Sequence, residues 1–260
     1  MPFEDLGRLR VFRFESLASP GIVHGVFTRR GGGSPAPWSS LNLGAMVGDD
    51  LMRVGENRRL ALEALGRTSE SVFDVWQVHS AEVILAAAPR GDAPPQRADA
   101  ILTDRAEVTL MMRFADCVPI LLYDPVRPAV GMVHAGWLGT VRQVVREAVM
   151  RMRDRFGTHP QDLRVGIGPS IAAHHYPVGP EVVDAFRGSF GEAGEAHLAG
   201  GPGGTHLDLW SANEQLLREQ GVEQIEIAGL CSACDTADWY SHRAEHGQTG
   251  RFGALIGLAG

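Results

Sequence analysis

Two short segments of the chain combine a reactive side chain with an apolar run. Asp116 and Cys117 stand just before Ile120–Leu122, and His134 stands just after Val130–Val133. Short aliphatic runs bounded by Pro or Gly are typical of buried strands. An Asp-Pro pair between the two runs marks a turn. The two strands are therefore predicted to be neighbours, with Cys117 and His134 near one end of a sheet.

A thiolate beside an imidazole supports either metal binding or nucleophilic attack by the cysteine. His79 lies where a third predicted strand, Val72–Val78, meets a loop. If His79 joins Cys117 and His134, one sulfur and two imidazoles form a ligand set suited to zinc, with a fourth position for water or substrate. From the residues alone, a metal site, a Cys/His pair and three packed core residues all stay open.

Asp116 is next in sequence to Cys117, so on a regular strand its side chain points to the opposite face. This predicts a role in orienting a ligand or contacting substrate rather than direct metal ligation.

The remaining cysteines and histidines form weaker patterns. Cys231 and Cys234 make one Cys-x-x-Cys pair, without the second pair of a common zinc motif. His174 and His175 are adjacent, and adjacent side chains diverge, so joint ligation is not expected. Cys231 is predicted to be a small core residue near the site.

Composition narrows the class of protein. The chain has 260 residues, of which 44% are hydrophobic, enough for a sizeable core. Its net charge of −7 argues against a nucleic-acid surface. No apolar stretch approaches a membrane span, and residues 1–14 lack the apolar core of a signal peptide, which predicts a cytoplasmic protein. Three cysteines do not form a disulfide framework, and no obligate protein partner is inferred.

Strands are predicted to outnumber helices without strict alternation, and no linker or internal repeat divides the chain. The prediction is a single α+β domain over residues 1–260. Helices are predicted at Leu51–Leu65, after an Asp-Asp cap, and at Thr140–Arg155. Gly136, just before the second helix, is expected to leave backbone N–H groups facing a cleft, where an anion could bind.

Ten short motifs, in order over nearly the whole chain, resemble the laccase-domain family, also described as polyphenol oxidase or purine nucleoside phosphorylase-like. The motifs are Thr28-Arg29-x-Gly31-Gly32, Ser40-Leu41-Asn42-Leu43-Gly44, Gly55-Glu56-Asn57-Arg58-Arg59, Gln77-Val78-His79, Ala98-Asp99-Ala100, Ala115-Asp116-Cys117-x-Pro119, Val133-His134-Ala135-Gly136-Trp137-x-Gly139, Ile167-Gly168-Pro169, Tyr240-Ser241-His242-Arg243 and Thr249-Gly250-Arg251.

The resemblance implies an α+β fold with mixed β-sheets flanked by helices, similar to a deamidating-toxin-like cysteine hydrolase. It implies zinc, with copper as an alternative metal, at His79, Cys117 and His134. It also implies phosphate-dependent cleavage of adenosine, inosine and methylthioadenosine to base and ribose 1-phosphate, and deamination of adenosine. The substrates are then purine nucleosides and phosphate.

A copper-dependent laccase activity is attached to the family name as well. A multicopper cluster needs many imidazoles, typically from His-x-His pairs, and the chain contains no such pair. This argues against a multicopper laccase. Zinc-assisted deamination also needs an acid, and in the absence of a His-x-Glu motif Asp116 or Glu82 would have to serve. The catalytic residues predicted are thus Cys117, His134, His79 and Asp116.

Phosphorolysis needs a cationic cradle for phosphate. Arg29 with the loop Gly31–Gly33 is the first candidate, because glycines allow close approach of the backbone to a ligand, and Arg243 is the second. Asn42, Gln77 and the Gly136 backbone are candidates for orienting the substrate.

The chain departs from the family pattern at three positions. Leu138 and Ala244 replace arginines and Pro177 replaces a glutamate, which predicts a changed anion site with Arg142 or Arg30 in compensation, or a different substrate. Two rival functions are a Cys/His amide hydrolase, with Cys117 as nucleophile and His134 as base, and a non-catalytic zinc-stabilised binding module.

Overall fold

A computed structural model of the chain describes residues 2–260. The strands are β1 Phe3–Leu6, β2 Leu9–Phe12, β3 Ile22–Phe27, β4 Val72–Phe73, β5 Val83–Leu85, β6 Ala100–Thr103, β7 Thr109–Phe114, β8 Val118–Asp124, β9 Ala129–Ala135, β10 Arg164–Ile167, β11 Pro177–Val178, β12 Leu198–Gly201, β13 Gly204–Leu207, β14 Gln224–Ile227 and β15 Phe252–Leu258. The α-helices are α1 Leu51–Ala64, α2 Trp137–Val141, α3 Val144–Phe156, α4 Pro180–Phe190 and α5 Leu209–Glu219.

Two six-stranded mixed sheets and one three-stranded sheet organise the chain. The first has the order β1-β2-β3-β15-β7-β4, the second β14-β10-β8-β9-β6-β5, and the small sheet β11-β13-β12. The pair β8 and β9 is antiparallel, and Pro119 lies opposite His134. The predicted α+β class is confirmed, and so is the prediction that Cys117 and His134 lie on or beside neighbouring strands.

The two large sheets pack face to face, and helices cover their outer faces. Alternate residues of β8 and β9, such as Leu121 and Met132, enter the core between the sheets. The intervening residues, such as Ile120 and Val133, pack with α3 and α5. Helix α1 covers the outer face of the first sheet. This alternation follows from the period-two geometry of a strand buried on both faces.

Helix α1 begins where the sequence predicts, because the Asp50 side chain accepts a hydrogen bond from the backbone N–H of Arg53 at 3.0 Å. The predicted helix at 140–155 is instead two helices, α2 and α3. Gln143 has a φ of 58°, in the left-handed region, and this residue breaks the helical path between them. Within residues 2–260, no helix combines the length and apolarity that crossing a membrane requires.

Candidate metal and anion site

The structure brings the three predicted metal ligands together. Cys117 directly precedes β8, His134 is the sixth residue of β9, and His79 lies in the loop after β4. One donor atom from each of these side chains lies within 4.8 Å of the other two. Cys117 Sγ is 3.8 Å from His79 Nε2, and the two imidazole ring centres are 4.9 Å apart. The arrangement provides one sulfur and two nitrogens around a common point.

Two residues of this site have positive φ angles, which residues other than glycine rarely adopt. His79 has a φ of 58° and Asp116 a φ of 84°. Such conformations cost about 1–3 kcal/mol each and persist only where surrounding contacts impose them. The Asp116 carboxylate accepts bonds from Ser232 Oγ and from the Arg243 backbone N–H, each at 2.7 Å. Asp116 therefore lies outside the regular strand on which its orientation was predicted.

Asp99 is the residue that positions both histidines. Its fully buried carboxylate accepts hydrogen bonds from the backbone N–H groups of Val78, His79 and Ser80 at 3.2, 3.0 and 2.6 Å. It also lies 2.8 Å from His134 Nδ1. Because a carboxylate can only accept, Nδ1 carries a proton, so that in the neutral ring Nε2 is the nitrogen whose lone pair can bind a metal. Carboxylate–histidine pairs of this kind orient metal-binding imidazoles.

The site stabilises a negatively charged sulfur. Burial alone would raise the pKa of Cys117, but the charge and hydrogen bond of His134, together with His79, outweigh it and lower the pKa from 9.0 to about 6. Burial likewise opposes protonation of His134, yet the Cys117 sulfur and the Asp99 carboxylate raise its pKa to about 9. In the absence of a metal, the pair is therefore a thiolate beside an imidazolium at neutral pH.

Gly136 is required by the packing around the ligands. A Cβ at this position would lie 2.8 Å from Cys117 Sγ and 3.0 Å from His79 Cδ2. Any side chain here would push Cys117 or His79 out of position, so a glycine is needed on this side of the cluster.

The three residues line a cavity of about 730 Å³, within the usual range for small-molecule sites. Five arginines also line the cavity: Arg58, Arg90, Arg113, Arg243 and Arg251. Trp76, with 53% of its surface exposed, lines it as well.

The five arginines differ in their partners. Arg90 and Arg113 both pair with Asp74, each at 2.6 Å. Arg58 and Arg251 instead bond backbone carbonyls, and neither forms an ion pair with any residue in 2–260. Burial, supported by the charge of Arg113, lowers the pKa of Arg58 to about 10. Burial also lowers the pKa of Arg251. The cavity wall thus holds two partly buried cations that form no direct ion pair within residues 2–260.

Arg29 and its glycine loop lie elsewhere. The Arg29 guanidinium forms an ion pair with Glu245 at 2.9 Å, stacks on Tyr240 and does not line the cavity. The loop is tightly packed: a Cβ on Gly32 would lie 2.2 Å from the Ser40 carbonyl oxygen. Two of its N–H groups already have partners, since Gly32 donates to Ser40 Oγ and Gly33 donates to Asn57 Oδ1. Arg29 and the loop Gly31–Gly33, which were predicted to cradle phosphate, therefore lie outside the cavity.

Asn42 is likewise structural. It is fully buried, and its amide bonds Asp49 Oδ2 at 2.8 Å and the Arg251 backbone N–H at 2.9 Å. Asn42 therefore holds the backbone of Arg251 and does not line the cavity, where it was predicted to orient the substrate.

Gln77 and Arg243 do line the cavity. The Gln77 amide is engaged with the backbone of Arg113 through bonds of 2.8 and 3.0 Å. Arg243 Nη1 donates to the Pro177 carbonyl oxygen at 3.0 Å. This guanidinium also forms no ion pair within residues 2–260. Of the two acids predicted for deamination, Glu82 is exposed and does not line the cavity, whereas Asp116 does.

A model of the multi-copper polyphenol oxidoreductase laccase family matches residues 23–259. The chain belongs to this family. Two curated relatives are a protein named purine nucleoside phosphorylase from Deinococcus radiodurans and one named purine nucleoside phosphorylase YlmD from Bacillus subtilis. The first is 39% identical over 96% of this chain and 93% of the relative, and the second 35% identical over 91% and 88%. The resemblance seen in the motifs is confirmed.

Two solved structures share the fold. The crystal structure of YlmD from Geobacillus stearothermophilus matches with a TM-score of 0.92 and 34% identity, covering 100% of this chain and 99% of that one. The crystal structure of the Bacillus licheniformis hypothetical protein YfiH matches with a TM-score of 0.91 and 32% identity, covering 99% of each.

Proposed function

We propose that the chain is a zinc-dependent purine nucleoside phosphorylase that also deaminates adenosine. The observation that carries this proposal is the combination, in one cavity, of a soft-metal ligand set with the unpaired cations Arg58 and Arg251. The names of the relatives support the phosphorylase activity.

The donor set fits zinc. One thiolate and two imidazoles are ligands that zinc prefers, and the Asp99 carboxylate fixes the tautomer that leaves His134 Nε2 able to coordinate. A zinc ion held by His79, Cys117 and His134 would supply Lewis-acid chemistry and would activate water for deamination of adenosine.

The protein's own residues would bind and orient the reactants of phosphorolysis. A phosphate oxygen attacks C1′ of the ribose, the bond from C1′ to the purine nitrogen breaks, and the purine leaves with that electron pair and takes up a proton. Arg58 and Arg251 are suited to hold the phosphate because an anion compensates their charge. Trp76 lines the cavity with 53% of its surface exposed; Arg97 lies over one face of its indole at 5.6 Å, and we expect a purine to stack on the other face.

The first test is product analysis with inosine in the presence and absence of phosphate. Release of hypoxanthine together with ribose 1-phosphate, only when phosphate is present, is the expected result. Base release that does not depend on phosphate, or no release at all, would overturn the phosphorylase proposal.

The second test locates the phosphate site. Arg58→Met is expected to raise the KM for phosphate about 10- to 100-fold, because a charge-assisted hydrogen bond contributes about 1.5–3 kcal/mol. Arg59→Met is the matched control: Arg59 is the next residue of α1, exposed, and paired with Glu56 and Glu63. Equal effects of the two substitutions would place phosphate elsewhere.

One observation favours a second candidate, the Cys/His amide hydrolase. Cys117 with its lowered pKa, His134 and Asp99 form a nucleophile, base and orienting carboxylate in order. The two candidates differ in the state of the sulfur during turnover. If removal of zinc with a chelator abolishes phosphorolysis and lets iodoacetamide react with Cys117, the phosphorylase proposal stands. If an amide-cleaving activity survives chelation and is lost when Cys117 is alkylated, the hydrolase is favoured.

A further inference from the structure

A second cluster of metal-ligating side chains lies outside the cavity just described. It consists of His174, His175, Cys231 and Cys234. The two histidines belong to a single 3-10 turn, Ala173–His175, that follows β10. The two cysteines follow β14, and Cys234 N–H donates to the Cys231 carbonyl at 3.2 Å. Because β10 and β14 are parallel neighbours, the segments that follow them leave the same end of the sheet.

The donor atoms are spaced as a tetrahedral ion requires. Zinc bonds of about 2.3 Å to sulfur and about 2.0–2.1 Å to nitrogen place sulfur and nitrogen about 3.6 Å apart at tetrahedral angles. His175 Nδ1 lies 3.6 Å from Cys231 Sγ and 3.4 Å from Cys234 Sγ, and His174 Nε2 lies 3.0 Å from Cys234 Sγ. All four donor atoms lie within 4.8 Å of one another.

The adjacent histidines reach a common point because they use different ring nitrogens. His174 presents Nε2 and His175 presents Nδ1, and the short turn keeps their ring centres only 4.5 Å apart. The sequence-based expectation that these two side chains diverge is therefore wrong. The expectation that Cys231 is a buried residue near the site is confirmed, since only 8% of it is exposed.

Packing does not account for the other three members. His174, His175 and Cys234 are all exposed, so none of them fills the core. Two thiols and two imidazoles converging at the surface form the Cys₂His₂ set of structural zinc sites. We propose that His174, His175, Cys231 and Cys234 bind a second zinc ion, with all four positions taken by the protein and none left for a substrate.

The proposed ion would tie together two segments that border the cavity. Tyr176 follows His175 directly, lines the cavity and lies under the Arg243 guanidinium at 4.9 Å. Ser232 follows Cys231 and donates to the Asp116 carboxylate at 2.7 Å. A metal at the second cluster would thus fix the backbone that carries Tyr176 relative to the backbone that supports Asp116. Its role would be to hold one wall of the cavity.

Zinc content tests the proposal independently of any activity. Cys117→Ser removes a sulfur ligand of the cavity cluster and isolates the second site. After loading with zinc under reducing conditions and extensive dialysis, this variant is expected to retain about one zinc per chain, and Cys117→Ser/Cys234→Ser to retain none. Cys117→Ser/His159→Ala is the matched control, because His159 is exposed and outside both clusters; it should keep its zinc.

X-ray absorption at the zinc edge of the Cys117→Ser protein identifies the ligands. Scattering from about two sulfurs at about 2.3 Å and about two nitrogens at about 2.0–2.1 Å is expected. A folded Cys117→Ser protein without zinc, zinc retained after the Cys234 substitution, or a shell of nitrogen and oxygen alone would overturn the proposal. Circular dichroism establishes that each variant is folded, and His174→Ala in place of Cys234→Ser gives a second route to the same result. Absence of phosphorolysis in the natural chain that holds this zinc would refute only the function proposed for the cavity.

Discussion

Asp99→Asn is predicted to weaken zinc binding at the cavity cluster by about 10- to 100-fold. Asp99 holds His134 Nδ1 at 2.8 Å and fixes the backbone of His79, so it acts on two of the three ligands at once. A charge-assisted hydrogen bond is worth about 1.5–3 kcal/mol, which corresponds to about one to two powers of ten in Kd. Asparagine keeps one accepting oxygen but turns an N–H₂ group toward donors that need an acceptor, which adds to the loss.

The assay is competition for zinc against a chromophoric chelator at neutral pH, with the folded fraction checked by circular dichroism. Asp124→Asn is the matched control. Asp124 is also fully buried and accepts from the backbone N–H groups of Val126 and Arg127 at 2.9 Å, but it lies at the far end of β8. Asp124→Asn should therefore lower the stability of the chain without changing the affinity for zinc.

A second readout comes from the metal-free protein. The Asp99 carboxylate contributes to the raised pKa of His134, and the charge of His134 in turn contributes to the lowered pKa of Cys117. Asp99→Asn should therefore raise the pKa of Cys117 and slow its alkylation near neutral pH. An Asp99→Asn protein with an unchanged Kd for zinc and an unchanged alkylation rate would refute the positioning role of this carboxylate.

Three further predictions concern other parts of the molecule. Burial lowers the pKa of His24 from 6.5 to about 4, so the stability it contributes is complete above pH 6.5 and is lost as the pH falls toward 4; the loss is roughly 3 kcal/mol at about 1.36 kcal/mol per pH unit. Urea unfolding should show this loss in the natural chain and a flatter pH dependence in His24→Gln, and parallel profiles would contradict it. Gly136→Ala places a methyl group 2.8 Å from Cys117 Sγ and should reduce zinc affinity at least tenfold, whereas Gly33→Ala, with nothing within 4 Å, should leave zinc affinity and the KM for phosphate unchanged; equal zinc titrations for the two variants would refute the steric argument. Trp76→Ala should raise the KM for inosine by about 5- to 100-fold if the indole stacks on the base, since stacking contributes about 1–3 kcal/mol, and an unchanged KM in steady-state kinetics would exclude that contact.

The cysteine and the second histidine of the cavity cluster were predictable from local signals. Apolar runs around Ile120 and Val133, with an Asp-Pro turn between them, define two antiparallel strands, and the residues at the ends of adjacent strands must lie close together. His79 was harder to predict, because its loop is brought to the cluster by the Asp99 side chain rather than by strand pairing.

The importance of Asp99 was indicated by its residue type and its neighbours in the sequence. It stands between Ala98 and Ala100 at the start of an apolar strand, and a carboxylate in such a place must be paired. Its partners, however, depend on the tertiary fold and could not be read from the sequence.

The sequence alone did not identify which arginines lack an ion-pair partner. Arg29 beside three glycines looks like an anion site, but Glu245, more than two hundred positions later, neutralises it. Arg58 lies in a helix and looks like an ordinary surface residue, yet it lines the cavity and forms no direct ion pair within residues 2–260. Which cations are left unpaired is a property of long-range contacts, and no local pattern encodes it.

The residues that line the cavity come from both of the large sheets. Arg113 on β7 and Arg251 just before β15 come from the first sheet, whereas Cys117 and His134 come from the second. The alignment of one layer over the other therefore sets the separation between the cationic wall and the sulfur. A substitution in the apolar interior where the sheets meet, at Met112 or Met132 for example, would therefore shift that separation without replacing any polar residue of the cavity.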